Sequence, residues 1–468
     1  MSGSRRPTQL YDAIVLGSEL PGLVAGALLA KRNLRVLVVD DGGPYDHHEA
    51  GGFRLPQRPT ILPTPKAAPA LHALLDELGA IPAWSRSARP LAEGLQLFLP
   101  RARLELRPSR DARVASLVRA FGPDGEAQAR SLDLAADGMA TLDRLLAGRL
   151  PPDGWLERRS HARLAARCEK ELTELPIDRS HPVGEALLGL HGFASNLAGD
   201  ASPTGFLRAT MPLLSEACRL PGHGLASLLR AFIASHRGDF AGEPGAPAIA
   251  EELVVERGGV SGVRLAGFSE PHRGRICFAA TDLDRISSLL ASSRAQRKLV
   301  RQAGLVSAPQ RLVVSNLVVA KDAIPPGLGE LVLVSGFGRP ALVELDVARK
   351  ANGAIDEGLR TVTAASLAPA DQAEEASGAR LDAILEEVLP FHERHVRFRA
   401  RPPRSEARVE LTSDGTTALS GLPLRSSIDR LLVANRSVLP GLGLEGELLV
   451  GTRLARLAEE QIRKIRPS

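Results

Sequence analysis

The stretch from Tyr11 to Asp41, YDAIVLGSELPGLVAGALLAKRNLRVLVVDD, constrains this chain more than any other. Ala13 to Leu16 is a short apolar run closed by turn residues, the pattern of a strand buried on both faces. Gly17 to Gly22 is the turn, and Leu23 to Arg32 mixes apolar and small residues as a helix packed under a sheet does. Asn33 suits a left-handed helix cap. Arg35 to Val39 is a second buried strand, ending at Asp40. The unit reads strand, tight turn, helix, strand. An acid about twenty positions past such a turn is the group that hydrogen-bonds the ribose in dinucleotide folds.

The turn departs from its pattern at one place. G-x-G-x-x-G would put glycines at 17, 19 and 22; Gly17 and Gly22 are present, and position 19 is Glu. The middle glycine lets the backbone approach a pyrophosphate. A carboxylate and a phosphate about 4 Å apart, at an effective dielectric of about 20, repel by roughly 4 kcal/mol. The helix N-terminus attracts anions, so the Glu19 carboxylate is itself a candidate occupant of the phosphate position.

Length and composition bound the rest. A chain of 468 residues suggests two or three domains. Aromatic content of 3% argues against a site of stacked rings for bases or sugars, so no nucleic acid partner is expected. The net charge of +5 is carried mainly by Arg and is consistent either with genome composition or with an anionic membrane surface or acidic partner. Cys168, Cys218 and Cys277 form no metal or redox motif, and a reducing cytoplasm is the expected compartment. MSGSRRPTQL lacks the apolar segment of a signal peptide, and no run of eighteen apolar residues occurs.

Along the chain, DGGPYDHHEAGGFRL reads as a polar loop. His47 and His48 in such a loop lack the rigid frame a metal needs, so no metal is expected; Gly51-Gly52 could lie against a cofactor. Pro69 to Ala80 is a short helix, Leu95 to Arg107 a hairpin, and Arg110 to Gly148 helical with a break at Gly122 to Gly125. Pro151 to Gly205 is mostly helical. A Gly turn at Gly222 and Gly224 leads into a helix, followed by strands at Ala248 to Glu256, Gly259 to Leu265 and Ile276 to Ala280. Arg285 to Gly304 is a basic amphipathic helix, a solvated face or a membrane contact. Runs at Arg311 to Ala320, Glu330 to Ser335, Pro340 to Ala348 and Leu359 to Leu367 suggest an antiparallel sheet. Asp382 to Leu389 is helical, and Arg394 to Arg408 an edge strand guarded by charge or a lipid contact. Ile428 to Ala434 is a buried strand, Pro440 to Gly446 a Gly-rich turn, and Glu447 to Arg463 a closing helix.

Four segments together resemble the phytoene desaturase family of flavoproteins, within the group that includes amine oxidases and the Rab GDP-dissociation inhibitors. They are YDAIVLGSELPGLVAGALLAKRNLRVLVVDD, LQLFLPRARLELRPSRDARVASLVRAFGPDGEAQAR, PGHGLASLLRAFIASHRGDF running into ELVVERGGVSGVRLAG, and IDRLLVANRSVLPGLGLEGELLVG. The resemblance implies an α/β fold: a Rossmann-like FAD/NAD(P)-binding domain at 8–70, 210–284 and 424–466, and an α+β substrate domain with an antiparallel sheet at 71–209 and 285–423. It implies FAD, with Gly17, Ser18, Glu19 and Gly22 at the pyrophosphate, Asp40 at the ribose and Ala250 near the adenine. Ala434, Gly443 and Gly446 would lie by the flavin. The departures fall on the cofactor: Glu19, Ala434 in place of Gly, the unusual Asn435-Arg436-Ser437, Glu445 in the final turn, and the late Gly51-Gly52.

Two functions follow, with a further flavin reaction such as amine oxidation disfavoured because such sites commonly rely on an aromatic cage and aromatics are scarce here. One is an FAD-dependent oxidoreductase taking a hydride from an apolar isoprenoid or lipid-like substrate, with the flavin carrying the chemistry and no catalytic side chain identifiable. The other is a flavin-less homologue that binds a lipid or protein partner, as the GDP-dissociation inhibitors do. In either case a cytoplasmic protein, able to touch the inner face of an anionic membrane, is expected.

Overall fold

The computed structural model describes residues 10–465 apart from 44–45, 92, 147–149, 172–176, 200–201, 221–223, 244–245, 292–293, 413–418 and 420. Gly222 and Tyr45 lie outside the described residues.

The opening unit folds as its residue pattern dictates. Strand β1 (Leu10–Leu16) pairs in parallel with β2 (Val36–Val39), and helix α1 (Leu20–Lys31) joins them. Every position from Pro21 to Ala30 is buried, which small residues permit. A Cβ on Gly22 would lie 2.3 Å from that of Ala280, so this glycine sets the helix-to-sheet distance. Asn33 closes the helix at φ 61°, as the cap chemistry predicts.

Helix α2 (Leu225–Ser235) leads to β3 (Gly238–Glu243), which lies parallel on the far side of β2. The meander β4 (Ala250–Glu256) and β5 (Gly259–Leu265) feeds β6 (His272–Ala279), parallel to β1. Much later in the chain, β7 (Leu431–Val433) pairs in parallel with the end of β6, and α3 (Gly443–Ile465) crosses α1. The parallel order is therefore β3-β2-β1-β6-β7. The carboxyl ends of these strands open on one side, where ligands of open α/β sheets bind.

A second sheet runs in the order Val396–Ala400, Val306–Ala320, Ile355–Pro369, Ala341–Arg349, Leu331–Val334, Leu95–Leu99, Ala102–Leu106, and Ala407–Leu411 also pairs with Val306–Ala320. It is antiparallel except where Leu95–Leu99 meets Leu331–Val334. Helix Glu374–Val388 packs its buried Leu381, Ile384, Leu385 and Val388 on this sheet. The expected hairpin at Leu95–Leu106 and the helices flanking Gly122 form as the pattern suggests. Among the described residues, no helix is long and apolar enough to cross a membrane.

Three local readings need correction. The stretch after Asp40 is a hairpin, His47–Ala50 with Phe53–Pro56, rather than a loop. Its turn is Gly51-Gly52, both at positive φ, and a Cβ on Gly51 would strike the Phe398 ring at 2.4 Å. Gly51 therefore meets an aromatic of the second sheet, while a Cβ on Gly52 would meet nothing within 4 Å. The basic segment forms two helices, Leu283–Ser288 and Arg294–Ala303, instead of one. Gly238–Glu243, to which the sequence pattern assigned no strand, is strand β3; GDFAGE has no apolar run, and its pairing with β2 supplies the order.

Candidate functional site

The carboxyl ends of β1, β2, β6 and β7 and the edge of the second sheet enclose a crevice of about 570 Å³. Glu19, Asp41, Thr281, Asp282, Asn435 and Arg436 form one wall; Leu312, Val314, Glu406 and Val409 form the other. Beside it lies a recess of about 140 Å³ lined by Leu16, Gly17, Val39, Ile249, Ala250 and Leu289. A third space of only about 90 Å³ lies by the start of α3, among Arg58, Arg208, Arg408, Leu442, Glu445 and Glu447.

The glycine turn holds Glu19 at the N-cap of α1 without its side chain capping the helix. Its backbone is ordinary and extended, φ −63° and ψ 146°. The side chain turns to Arg436 on the same wall instead. One carboxylate oxygen accepts from the Arg436 backbone N–H at 2.8 Å and from Arg436 Nε at 3.3 Å. Glu19 is 5% exposed. Burial pushes its carboxyl up to about 7, with Arg436 opposing the rise and Asp282 and Glu447 adding to it. The Arg436 guanidinium is held charged: Glu19, Glu406, Glu447 and Asp282 all face it and together outweigh its burial.

The network continues inward. Glu406 lies 3.9 Å from Arg436, 3.5 Å from Arg408 and 2.6 Å from Arg58. Those three cations overcome burial and hold its carboxyl down at about 2. Arg408 is 1% exposed, and its Nε donates to Gly192 O at 3.1 Å. Glu447 accepts from Asn196 Nδ2 at 2.9 Å, and burial raises its carboxyl. Arg208, in the π-helical turn Phe206–Thr210, pairs with Glu445 at 3.3 Å.

The sequence-derived site residues distribute unevenly. Gly17 (φ 104°) faces the recess with Ala250, and a Cβ there would meet Ala280 O at 2.3 Å. Ser18 Oγ donates to Gly43 O and to Asp41 Oδ1 at 3.3 Å. Asp40 is fully buried; Arg230 of α2 reaches it at 2.6 Å, and it accepts from Gly42 N–H at 2.9 Å. Its neighbour Asp41 is the acid that lines the crevice, bonded to Arg285 Nη1 at 2.6 Å. Ala434 is fully buried behind Asn435. Gly443 (φ 52°) abuts Ala194 O, 1.9 Å from where a Cβ would sit, and a Cβ on Gly446 would meet Leu439 O at 2.4 Å. Protein contacts thus require both glycines. Asp41, Arg285, Glu406 and Arg408 were not singled out in the sequence. Only Arg436 carried a signal, as part of an unusual tripeptide.

These residues do not fit the diphosphate of FAD. At the position where backbone should approach phosphate stands a buried carboxylate, and it already takes the Arg436 N–H. Pro21 lies in the first turn of α1, so that turn has one fewer N–H for an anion. A ring beside the start of α3 would meet Arg208, Arg408 and Glu445, where the space is about 90 Å³.

No family profile and no curated protein matches the sequence. The fold, by contrast, matches solved structures over nearly the whole chain. An oxidoreductase from Methanosarcina mazei is 14% identical, with 96% of this chain and 100% of that chain covered at TM-score 0.58. Putrescine oxidase bound to putrescine is 15% identical, covering 97% and 100% at TM-score 0.60. Cyclohexylamine oxidase from Brevibacterium oxydans is 14% identical, covering 97% and 99% at TM-score 0.54. The chain has the mixed α/β fold of these oxidoreductases.

Proposed function

We propose that this chain is a flavin-less binding protein built on an oxidoreductase fold. The observation that supports it is the small volume of the space at the start of α3. A flavin accepting a hydride needs its ring and an apolar substrate face to face there. Ligand sites commonly measure about 300–1,000 Å³; this one is about 90 Å³ and is lined by buried Arg208 and Arg408. The 570 Å³ crevice is of ligand size. The apolar side chains Leu312, Val314 and Val409 beside Glu406, opposite a charged wall, suit an amphipathic, lipid-like molecule. The four exposed cations of helix Arg294–Ala303, whose Ala303 lines the crevice, favour approach to an anionic lipid surface.

A second reading is an FAD-dependent oxidoreductase with a Rossmann-like domain, acting on an isoprenoid or similar substrate. The recess holding Gly17 and Ala250 favours it, since the resemblance would put the adenine near Ala250. The experiment is direct. Purified protein is expected to be colourless, and neither FAD nor NAD(P)H should move its melting temperature. Bound flavin, or a shift matching the roughly 2.7 kcal/mol that a ligand at a hundred times its Kd contributes, would overturn the first reading in favour of the second.

A further inference from the structure

The position of Glu19 needs a chemical reason. Its φ and ψ are open to any residue, so the backbone does not demand a particular side chain there. What it provides, above the pH of about 7 at which the buried carboxyl ionises, is an oxyanion. Arg436 sits in the loop after β7, next to the glycine turn on the same wall of the crevice, and is 11% exposed at its side chain. Its backbone N–H and Nε both donate to one Glu19 oxygen, along that wall. Two donors converging on a single oxygen, from main chain and guanidinium, is how proteins grip a phosphate oxygen. Without Glu19, that N–H would point into the crevice with no acceptor, and a buried donor left unmade is costly.

We infer that the Glu19 carboxylate is a built-in substitute for a ligand phosphate: it answers the oxyanion demand of Arg436 from within the chain and thereby excludes nucleotide diphosphates from the crevice. Asp41 with Arg285 closes the next stretch of the same wall in the same way, by pairing chain to chain. Glu19 is thus a specificity-determining residue. The inference rests on the flavin-less reading and deepens it.

The test is rescue by an anion. Glu19→Gly and the wild-type protein are melted with inorganic pyrophosphate, with ADP, and with potassium chloride at matched ionic strength. Glu19→Gly should melt lower than wild type and be restored by pyrophosphate or ADP. Its affinity for them should be roughly tenfold to hundredfold tighter than that of wild type, the span of one charge-assisted hydrogen bond. Glu19→Gln, which keeps an acceptor for the Arg436 N–H but removes the charge, should show a smaller gain of the same sign. A folded Glu19→Gly that responds to pyrophosphate no more than to chloride overturns the inference. If Glu19→Gly does not fold, Glu19→Gln decides: a response equal to wild type overturns it. Flavin found in the wild-type protein would instead sink the reading beneath it, so the two failures are distinct.

Discussion

Replacing Glu19 by Gln should change how stability depends on pH, and the size follows from the burial of the carboxyl. Its pKa rises from an ordinary 4.5 to about 7 in the folded chain. Between those values the unfolded chain has released the proton and the folded chain has kept it, so wild-type stability falls as pH rises. A difference of about 2.5 pH units corresponds to about 3 kcal/mol, fully present below pH 4.5 and lost by pH 7. The Gln variant has no such loss. Other titrating groups, such as Glu344 (also raised to about 7) and His191 (lowered to about 4), are common to both proteins and cancel in the difference. For 468 residues the unfolding entropy near the midpoint is roughly 1 kcal/mol/K. The melting difference between the variants should therefore move by about 3 °C in favour of Gln between pH 4.5 and 7, then level off. Parallel scans of both proteins across that range measure it, and added salt should leave it unchanged because the pair is buried. A flat difference would refute the reasoning, since it would mean that Arg436 fully compensates an ionised Glu19.

Two further changes probe the scaffold. Arg219, 1% exposed, donates to Leu345 O at 2.7 Å and pairs with Glu344 at 3.3 Å, so Arg219→Met should cost about 3–5 kcal/mol in urea unfolding by stranding a buried carboxylate. Adding Glu344→Gln should recover most of that loss, and no recovery would show that the charge is not the cause. Gly443→Ala must place a Cβ at positive φ and 1.9 Å from Ala194 O, so it should lower stability by about 2 kcal/mol or more. An unchanged unfolding midpoint would mean that the turn relaxes freely.

Much of the first layer was legible because local chemistry and tertiary demand agree there. Val36–Val39 is apolar because it is buried on both faces, Gly22 is small because Ala280 lies against it, and Asn33 caps because it tolerates positive φ. Strand β3 was not legible: its residues are only partly buried, and its conformation comes from the β2 edge it pairs with. The hairpin at His47–Pro56 hid for the same reason, since its turn is shaped by Phe398 more than three hundred residues away. The site divides likewise. The oddity of Glu19 stood in plain view, but its partner Arg436 is 417 positions distant. The choice between Asp40 and Asp41 turned on Arg230 and Arg285, which approach from different helices.

The crossing of α1 and α3 has a consequence for how the molecule is made. Gly451 brings α3 so near α1 that a Cβ there would lie 2.5 Å from that of Val24 and 2.6 Å from Pro21 O, while Arg32 reaches Glu459 at 2.9 Å. Val24 is fully covered in the finished fold. During synthesis, some four hundred residues must leave the ribosome before that cover arrives. The first helix therefore waits with that apolar flank bare until the last helix of the chain has been made.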